Sequence, residues 1–310
     1  MVRFGLRVPD FPIDGTHGTA FAHQLTETLA AGRGSFVSAW VADHFVPWAE
    51  FQAPMTDVHE CWSTVCYLAG MFPEYTLGTI VLSQSYRSPA LVAKMSATLQ
   101  ALTGGRLILG IGAGWKQDEY LAYGYPYPDN ITRLQQMEEA VQIIRRMWTE
   151  PRATFHGQHY HIDNALCEPK PDPLPPILIG GGGKKVLLRL VAQHADWWNF
   201  PGGTLENYQD LLATLRMHCD KVGRDYAGIT KTWMCECVAV AATTAEAERL
   251  AHASPFFGRG ETIMGTPDEV TAQLRRFTEL GVEHFMLRFA DFPRTDGVRL
   301  FAQEVIPRFN

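Results

Sequence analysis

The sequence predicts an α/β fold in which eight parallel strands, each followed by a helix, close into a (β/α)8 TIM barrel that carries insertions. Short apolar runs alternate with longer segments of helical period along all 310 residues. Several runs, such as Leu107–Ile111 and Ile177–Ile179, are apolar almost throughout, which is typical of strands buried on both faces of a parallel sheet. Eight such units close into a barrel more readily than they form an open sheet. A doubly wound open sheet is the alternative fold.

The predicted elements follow this alternation in chain order. The strand candidates are Arg3–Val8, Ser38–His44, Thr76–Leu82, Arg106–Ala113, Pro176–Gly180, Asp196–Phe200, Lys231–Val240 and His284–Phe289. The helix candidates are Thr19–Ala31, Val58–Met71, Pro89–Leu102, Ile131–Trp148, Lys184–His194, Thr204–Val222, Thr244–Ala253, Pro267–Leu280 and Gly297–Pro307. Pro89 and Pro267 stand at first helical positions, where the missing N–H costs nothing. Thr266 is placed to cap the helix that follows it.

Two stretches depart from the simple repeat, and we expect both to be insertions in one domain spanning residues 1–310. The first, residues 151–175, contains a predicted hairpin that turns at Gly157-Gln158 and then a proline-rich connector that cannot be helical. The second, residues 254–265, is rich in Gly and Phe, and we expect a mobile loop there.

Composition narrows the function classes. The chain is 46% hydrophobic and 19% charged, with a net charge of −6 and no long run of one sign, which argues against nucleic-acid binding. No apolar stretch approaches the ~20 residues of a membrane span. The six cysteines form no Cys-x-x-Cys pair, so we expect reduced thiols and a cytoplasmic protein.

A run of four glycines, Gly180–Gly183, follows the fifth predicted strand and precedes Lys184. Such a run leaves backbone N–H groups free to face an anion, with the helix dipole and the lysine adding positive charge. It lacks the glycine and hydroxyl spacing of a P-loop. We therefore predict a phosphate-binding turn for a cofactor, in preference to a merely flexible loop.

The fourth strand leads into a second glycine-rich stretch, Gly110-Ile111-Gly112-Ala113-Gly114-Trp115. It fails the dinucleotide fingerprint because Trp115 stands where the third glycine belongs. Two interpretations stay open: close approach of a flat ligand to Ala113, Gly114 and Trp115, or tight packing between strand and helix.

The second strand ends in Asp43-His44, shortly before Trp48. His44 lies where a titratable group can meet a ligand, since catalytic groups of parallel barrels gather at the carboxyl ends of the strands. Asp43 could hold the tautomer of His44 or accept a ring N–H from a cofactor. The hairpin histidines His156, His159 and His161 look superficially like metal ligands, but no carboxylate or cysteine completes a site, and we expect no metal.

These residues resemble the luciferase-like superfamily of flavin and deazaflavin oxidoreductases. The resemblance covers nearly the whole chain and rests on three stretches: Leu102–Trp115 with Glu119-Tyr120 and Ala122-Tyr123-Gly124, Pro176–Gly183, and Gly265–Val270. Within that superfamily, Asp43-His44-Phe45-Val46-Pro47-Trp48 resembles the branch that uses coenzyme F420. The resemblance implies the bacterial luciferase-like barrel and a homodimer.

It also implies roles for individual residues. His44 would exchange the proton, Trp48 would stabilise the reacting complex and Asp43 would contact the deazaflavin ring. A non-prolyl cis peptide, here between Ile80 and Val81, would lie behind the ring. The sugar-phosphate dehydrogenases of this branch carry a catalytic glutamate where this chain has Trp115, and Glu119, four residues on, is not a clean substitute.

The sequence thus predicts an F420-dependent oxidoreductase that transfers a hydride between C5 of the deazaflavin and a small organic substrate. Arg288, at the end of the eighth strand, would steer an anionic group or form an ordinary salt bridge. The first alternative is a two-component monooxygenase that uses reduced FMN, and the second is a non-catalytic flavin-binding protein. The same barrel and phosphate turn can serve either F420 or FMN.

Overall fold

A computed structural model of the chain describes residues 2–49, 52, 53 and 55–309. Parallel strands close on themselves, because the first strand pairs with both the second and the last. In chain order the barrel strands are β1 (Arg3–Arg7), β2 (Ser38–Val41), β3 (Thr76–Thr79), β4 (Leu82–Ser83), β5 (Leu107–Gly112), β8 (Ile177–Gly180), β9 (Trp197–Pro201), β10 (Thr230–Val240) and β12 (His284–Phe289). Since β3 and β4 are two pieces of one interrupted strand, the closed barrel has eight strands, and the predicted fold class is confirmed.

Helices connect the strands around the outside of the barrel. They are α1 (Thr19–Ala31), α2 (Cys61–Met71), α3 (Pro89–Thr103), α4 (Gln117–Ala122), α5 (Asn130–Thr149), α6 (Leu187–His194), α7 (Leu205–Val222), α8 (Thr244–Ala253), α9 (Pro267–Glu279) and α10 (Asp296–Leu300). The predicted cap of α9 is confirmed: the Thr266 hydroxyl accepts from the Glu269 N–H, and the Glu269 carboxylate accepts from the Thr266 N–H. In the described part of the chain, none of the helices is both long and apolar enough to cross a bilayer.

The barrel interior is filled mainly by apolar side chains, around a buried indole. Trp40 on β2 packs there with a small cluster comprising Ile80, Ile108, Leu178, Met234 and Met286. A Cβ atom on Gly78 would lie 2.2 Å from the Trp40 ring, and one on Gly5 would lie 2.5 Å from its Nε1. Because these two glycines lack side chains, the Trp40 ring fits between their strands. The barrel interior around Trp40 is therefore a packed core rather than a channel.

The structure differs from the predicted elements in several places. The helix predicted over Gly297–Pro307, for example, is an α-helix only over Asp296–Leu300 and continues as a π-helix and a 3-10 helix to Phe309. Residues 254–265, predicted as a loop throughout, end in a short strand, β11 (Thr262–Gly265), which extends the sheet along the outer part of β10. A six-residue helix, α4, was not predicted, because it is too short to show a helical period. The helix predicted from Lys184 begins instead at Leu187, since residues 184–186 form a turn.

The predicted hairpin is confirmed as the antiparallel pair β6 (Ala153–His156) and β7 (His161–Ala165). The Glu139 carboxylate on α5 accepts three backbone N–H groups of its turn, from Gln158, His159 and Tyr160. The Tyr160 hydroxyl in turn donates to the Gln84 side chain, 2.7 Å away. The insertion is thereby tied to the loop that follows β4.

Candidate active site

A cavity of about 520 Å³ opens at the carboxyl ends of the barrel strands. Its lining residues come from widely separated parts of the chain and include Asp43, His44, Trp48, Ile80, Val81, Ser83, Tyr86, Ala113, Gly114, Trp115, Glu119, Gly180, Gly181, Gly183 and Glu236. His44 and most of the tetraglycine therefore share one rim, as the sequence predicts.

His44 is held by a buried carboxylate from another part of the chain. Its Nδ1 lies 3.0 and 3.1 Å from the two oxygens of Glu119, which is completely buried on α4. The same carboxylate accepts the backbone N–H groups of Phe45 and Val46 at 3.0 and 3.1 Å and the Tyr86 hydroxyl at 3.1 Å. Because Glu119 accepts at Nδ1, this nitrogen carries the proton, and Nε2 is left to exchange one with a ligand.

Electrostatics keep Glu119 ionised in this setting. Burial alone would raise the pKa of its carboxyl, but the hydrogen bonds from His44 and from the Val46 and Phe45 N–H groups hold that pKa below its ordinary value. Burial, together with the negative charge of Glu119, raises the pKa of the neighbouring Tyr86 hydroxyl far above its usual range. Tyr86 is therefore a fixed donor and not an acid near neutral pH.

Two indole rings flank the imidazole. The Trp48 ring lies 6.4 Å from that of His44, and its Nε1 donates to Asp10 at 2.8 Å. The Trp115 ring stands edge-on to His44 at 5.7 Å, with 62% of the residue exposed. His44 is thus walled by one anchored and one exposed aromatic side chain.

Asp43 does not hold the His44 tautomer, as one interpretation of the sequence supposed; Glu119 holds it. The Asp43 side chain is wholly buried, and its oxygens accept from Arg87 at 2.9 and 3.0 Å and from the Ser83 N–H at 2.9 Å. Burial raises the pKa of the Asp43 carboxyl, although Arg87 and the Ser83 N–H oppose the rise. Arg87 also bonds Glu60, the cap of α2, so Asp43 joins β4 to that helix. The contact with a cofactor ring that the resemblance implies for Asp43 would have to be made through this covered carboxylate.

The peptide between Ile80 and Val81 is cis, as the resemblance implies, and both residues line the cavity. The neighbouring strand β5 approaches it closely. A Cβ atom on Gly110 would lie 1.9 Å from the Thr79 carbonyl oxygen, and one on Gly112 would lie 2.6 Å from Val81. Gly110 and Gly112 therefore pack tightly against the neighbouring strand, whereas the packing interpretation of the sequence supposed a helix as the partner.

Gly114 adopts a positive φ of 78°, and a Cβ atom there would lie 1.8 Å from the Tyr120 hydroxyl. That hydroxyl bonds Ser83 Oγ at 2.5 Å. Ala113, Gly114 and Trp115 all line the cavity, so this end of β5 also faces the space that a ligand would occupy.

Gly181, in the tetraglycine turn, has a φ of 129°, a backbone conformation that only glycine adopts readily. Its N–H donates to the Asn199 carbonyl, whereas the N–H groups of Gly182 and Gly183 have no hydrogen-bond partner within the described residues. The Lys184 ammonium is paired with Asp210 on α7 and does not line the cavity, and neither does Gly182. The turn thus offers backbone N–H donors to an anion. Lys184, which the sequence predicts to add positive charge there, is instead paired with Asp210.

Arg288 does not line the cavity; it is buried behind the wall. Its Nη2 lies 2.7 Å from Asp10 Oδ2, and its Nε lies 3.2 Å from Glu236 Oε2. The salt-bridge interpretation of Arg288 therefore describes the structure, and direct steering of an anion does not, because the guanidinium is covered and already paired.

Glu119, Tyr86 and Arg87 are site residues that the sequence reasoning missed. Glu119 stands four residues beyond the position at which the resemblance implies a glutamate, and α4 carries it back to the imidazole. A glutamate seven residues after the end of β5, close in sequence to the strand-end residues of the predicted site, is the signal that could have found it. Within the described ranges, no group of three or more His, Cys, Asp or Glu side chains is arranged to hold a metal ion.

Comparison with known proteins shows the family of this chain. The model of the luciferase-like monooxygenases matches residues 2–257. The chain belongs to this family. An F420-dependent glucose-6-phosphate dehydrogenase of Segniliparus rotundus is 28% identical over 91% of this chain and 92% of its own. An FMNH2-dependent dimethylsulfone monooxygenase of Pseudomonas putida is 25% identical over 71% of this chain and 70% of its own.

Solved structures share the fold at low identity. An F420-dependent secondary alcohol dehydrogenase, in complex with an F420-acetone adduct, superposes with a TM-score of 0.81 at 19% identity, covering 98% of both chains. The EDTA monooxygenase of Chelativorans superposes with a TM-score of 0.83 at 14% identity, covering 99% of this chain and 93% of the other. These solved structures therefore share the barrel fold of this chain.

Proposed function

We propose that the protein is an F420-dependent oxidoreductase that transfers a hydride between the deazaflavin and a small organic substrate, with His44 exchanging the accompanying proton. The observation that carries the proposal is the pairing of His44 with the buried Glu119 in the wall of a cavity that Ile80 and Val81 also line. Several curated relatives that use F420, among them the Segniliparus enzyme, support the choice of cofactor.

The residues present fit such a cofactor. The cavity volume suits a flat tricyclic ring, and ligand cavities commonly measure about 300–1,000 Å³. A Cβ atom at Gly180 would lie 3.0 Å from Val81, so a larger residue there would intrude where strand β8 meets the cis peptide. Gly183 lines the cavity in the turn ahead of α6, and its N–H has no hydrogen-bond partner among the described residues, which suits a phosphate.

The bound deazaflavin would supply or accept the hydride at C5. The chain's own task is then to bind, orient and move one proton. Glu119 fixes the imidazole through Nδ1, so that Nε2 of His44 can give a proton to a substrate oxygen or take one from it. Trp48, anchored on Asp10, and Trp115 cover the imidazole from two sides and reduce the access of water.

A fluorescence titration with F420, FMN and FAD in parallel tests the cofactor. We expect tight binding of F420 and weak binding of the two flavins. His44→Ala should lower turnover by about 10²–10⁴-fold, the usual contribution of general acid–base catalysis, and leave F420 affinity within a few-fold. His23→Ala, on the exposed face of α1, is the control. Full activity of the His44 variant would remove the role assigned to it.

A reduced-FMN monooxygenase is the second candidate function, favoured by the monooxygenases among the relatives and structures. Tight FMN binding without F420 binding would establish it in place of the first. A non-catalytic flavin-binding protein is disfavoured, because pure binding does not require a buried carboxylate to fix a histidine tautomer.

A further inference from the structure

Four buried charged side chains form a compact cluster at the wall of the cavity: Arg7 on β1, Asp10 just after it, Glu236 on β10 and Arg288 on β12. We call this cluster the ion quartet. Arg7 forms a two-pronged pair with Asp10, at 2.9 and 2.8 Å. Glu236 lies between the two arginines, 3.4 Å from Arg7 Nε and 3.2 Å from Arg288 Nε. The two positive and two negative charges cancel.

Only two members of the ion quartet, Arg7 and Glu236, line the cavity. Arg288 is covered by aromatic rings, 4.1 Å from the centre of the Phe256 ring and 5.5 Å from that of Trp48. Lys116 also lines the cavity, and its ammonium is paired with Asp118. Within the described part of the lining, each lysine and arginine therefore already has a carboxylate partner.

Much of the remaining wall is apolar. Trp48 and Trp115 present indole surface beside His44, and Ile80 and Met234 add aliphatic surface closer to the barrel axis. An anionic substrate entering this space would lose hydration without meeting an uncommitted cation among these side chains, and it would face the carboxylate of Glu236. Uncharged molecules incur neither cost.

From this arrangement we infer that the substrate is an uncharged organic molecule with an apolar body, and that Glu236 is the residue that makes the site reject anions. The inference rests on the proposed function, because it concerns the substrate of that same oxidoreductase site. Glu236 acts by holding Arg7 and Arg288 neutralised and by repelling a negative ligand, which is selection against the wrong ligand rather than attraction of the right one.

A matched pair of probes tests the inference: cyclohexanol and cyclohexanecarboxylate share one ring and differ in charge. Their binding to the full-length protein is measured by ligand-observed NMR. We expect the wild type to bind the alcohol at least about tenfold more tightly than the carboxylate. Glu236→Gln should strengthen carboxylate binding by about tenfold, as removal of a unit charge a few ångströms away implies, and leave alcohol binding within about threefold.

Glu283→Gln is the matched control. Glu283 precedes β12 on the opposite rim and pairs with Lys231 at 3.1 Å, so its loss should change neither probe. Because Glu236 is buried, Trp115→Ala provides a second variant on an exposed residue, and we expect it to weaken alcohol binding at least threefold.

Equal or tighter binding of the carboxylate by the wild type would overturn the inference, and so would a folded Glu236→Gln protein with unchanged carboxylate affinity. An F420 titration of the same samples separates this result from the proposed function. If F420 fails to bind, the proposed function fails, while the ratio of alcohol to carboxylate binding still decides whether the cavity rejects anions.

Discussion

Replacing Glu119 by glutamine should damage both stability and turnover. The carboxylate accepts from four donors: His44 Nδ1, the N–H groups of Phe45 and Val46, and the Tyr86 hydroxyl. Glutamine keeps one acceptor oxygen with two lone pairs, so at least two donors lose their acceptor. At about 1–2 kcal/mol for each unsatisfied buried donor, we expect a loss of about 2–4 kcal/mol in the free energy of unfolding, measured by urea denaturation.

Turnover by the folded Glu119→Gln protein should fall about 10–100-fold with little change in F420 affinity, since the imidazole loses the partner that fixes it. A double-mutant cycle separates positioning from general damage. If Glu119 acts through His44, adding Glu119→Gln to His44→Ala should lower turnover no further. Glu27→Gln, on the exposed face of α1, serves as the control. Additive losses in the double variant, or unchanged stability in the single one, would refute the reasoning.

Three further predictions concern Trp48, Gly114 and His284. Trp48→Phe removes the 2.8 Å hydrogen bond to Asp10 and should lower the free energy of unfolding by about 1–2 kcal/mol. The tryptophan emission of this variant should also respond less to ligand. Unchanged stability would argue against the anchoring of Trp48 by Asp10. Gly114→Ala should cost at least about 1 kcal/mol more than Gly124→Ala, because both have a positive φ near 77° but only the first would clash, with the Tyr120 hydroxyl at 1.8 Å; equal thermal shifts would contradict this. Burial lowers the pKa of His284 from 6.5 to about 3, so its neutral form contributes stability that is complete above pH 6.5 and lost as the pH falls toward 3. We expect a loss of roughly 2–3 kcal/mol at pH 4.5 that His284→Gln abolishes, and an identical acid dependence in both proteins would refute it.

The sequence predicts the barrel because its strands are short apolar runs buried on both faces, and because residues such as Pro89 and Thr266 mark the starts of some of its helices. β11 escapes prediction because Thr262–Gly265 contains only two consecutive apolar residues, Ile263 and Met264, which is too short an apolar run to indicate a strand. α4 escapes for a similar reason, since six residues do not complete two helical turns. Elements of this size are fixed by tertiary contacts more than by local propensity.

The candidate site, like the fold, has parts that the sequence predicts and parts that it does not. The positions of His44, Trp48 and Gly180–Gly183 follow from strand order alone, because all parallel strands end at one rim. Partnerships between distant side chains do not follow from it. Asp43 is adjacent in sequence to His44 yet bonds Arg87, and the imidazole finds Glu119, 75 residues away. Arg288 was placed at the correct strand end, but sequence could not show that Asp10 already holds it.

The ion quartet also joins the first barrel strand to the last one. Arg7 belongs to the first strand and Arg288 to the twelfth, and these strands pair directly where the cylinder closes, with Glu236 contributed by the strand on the far side of β12. The seam of the barrel and the wall of the binding cavity are therefore one set of contacts. Separation of these strands would also open the cavity, so ligand binding and global folding should be lost in a single cooperative step.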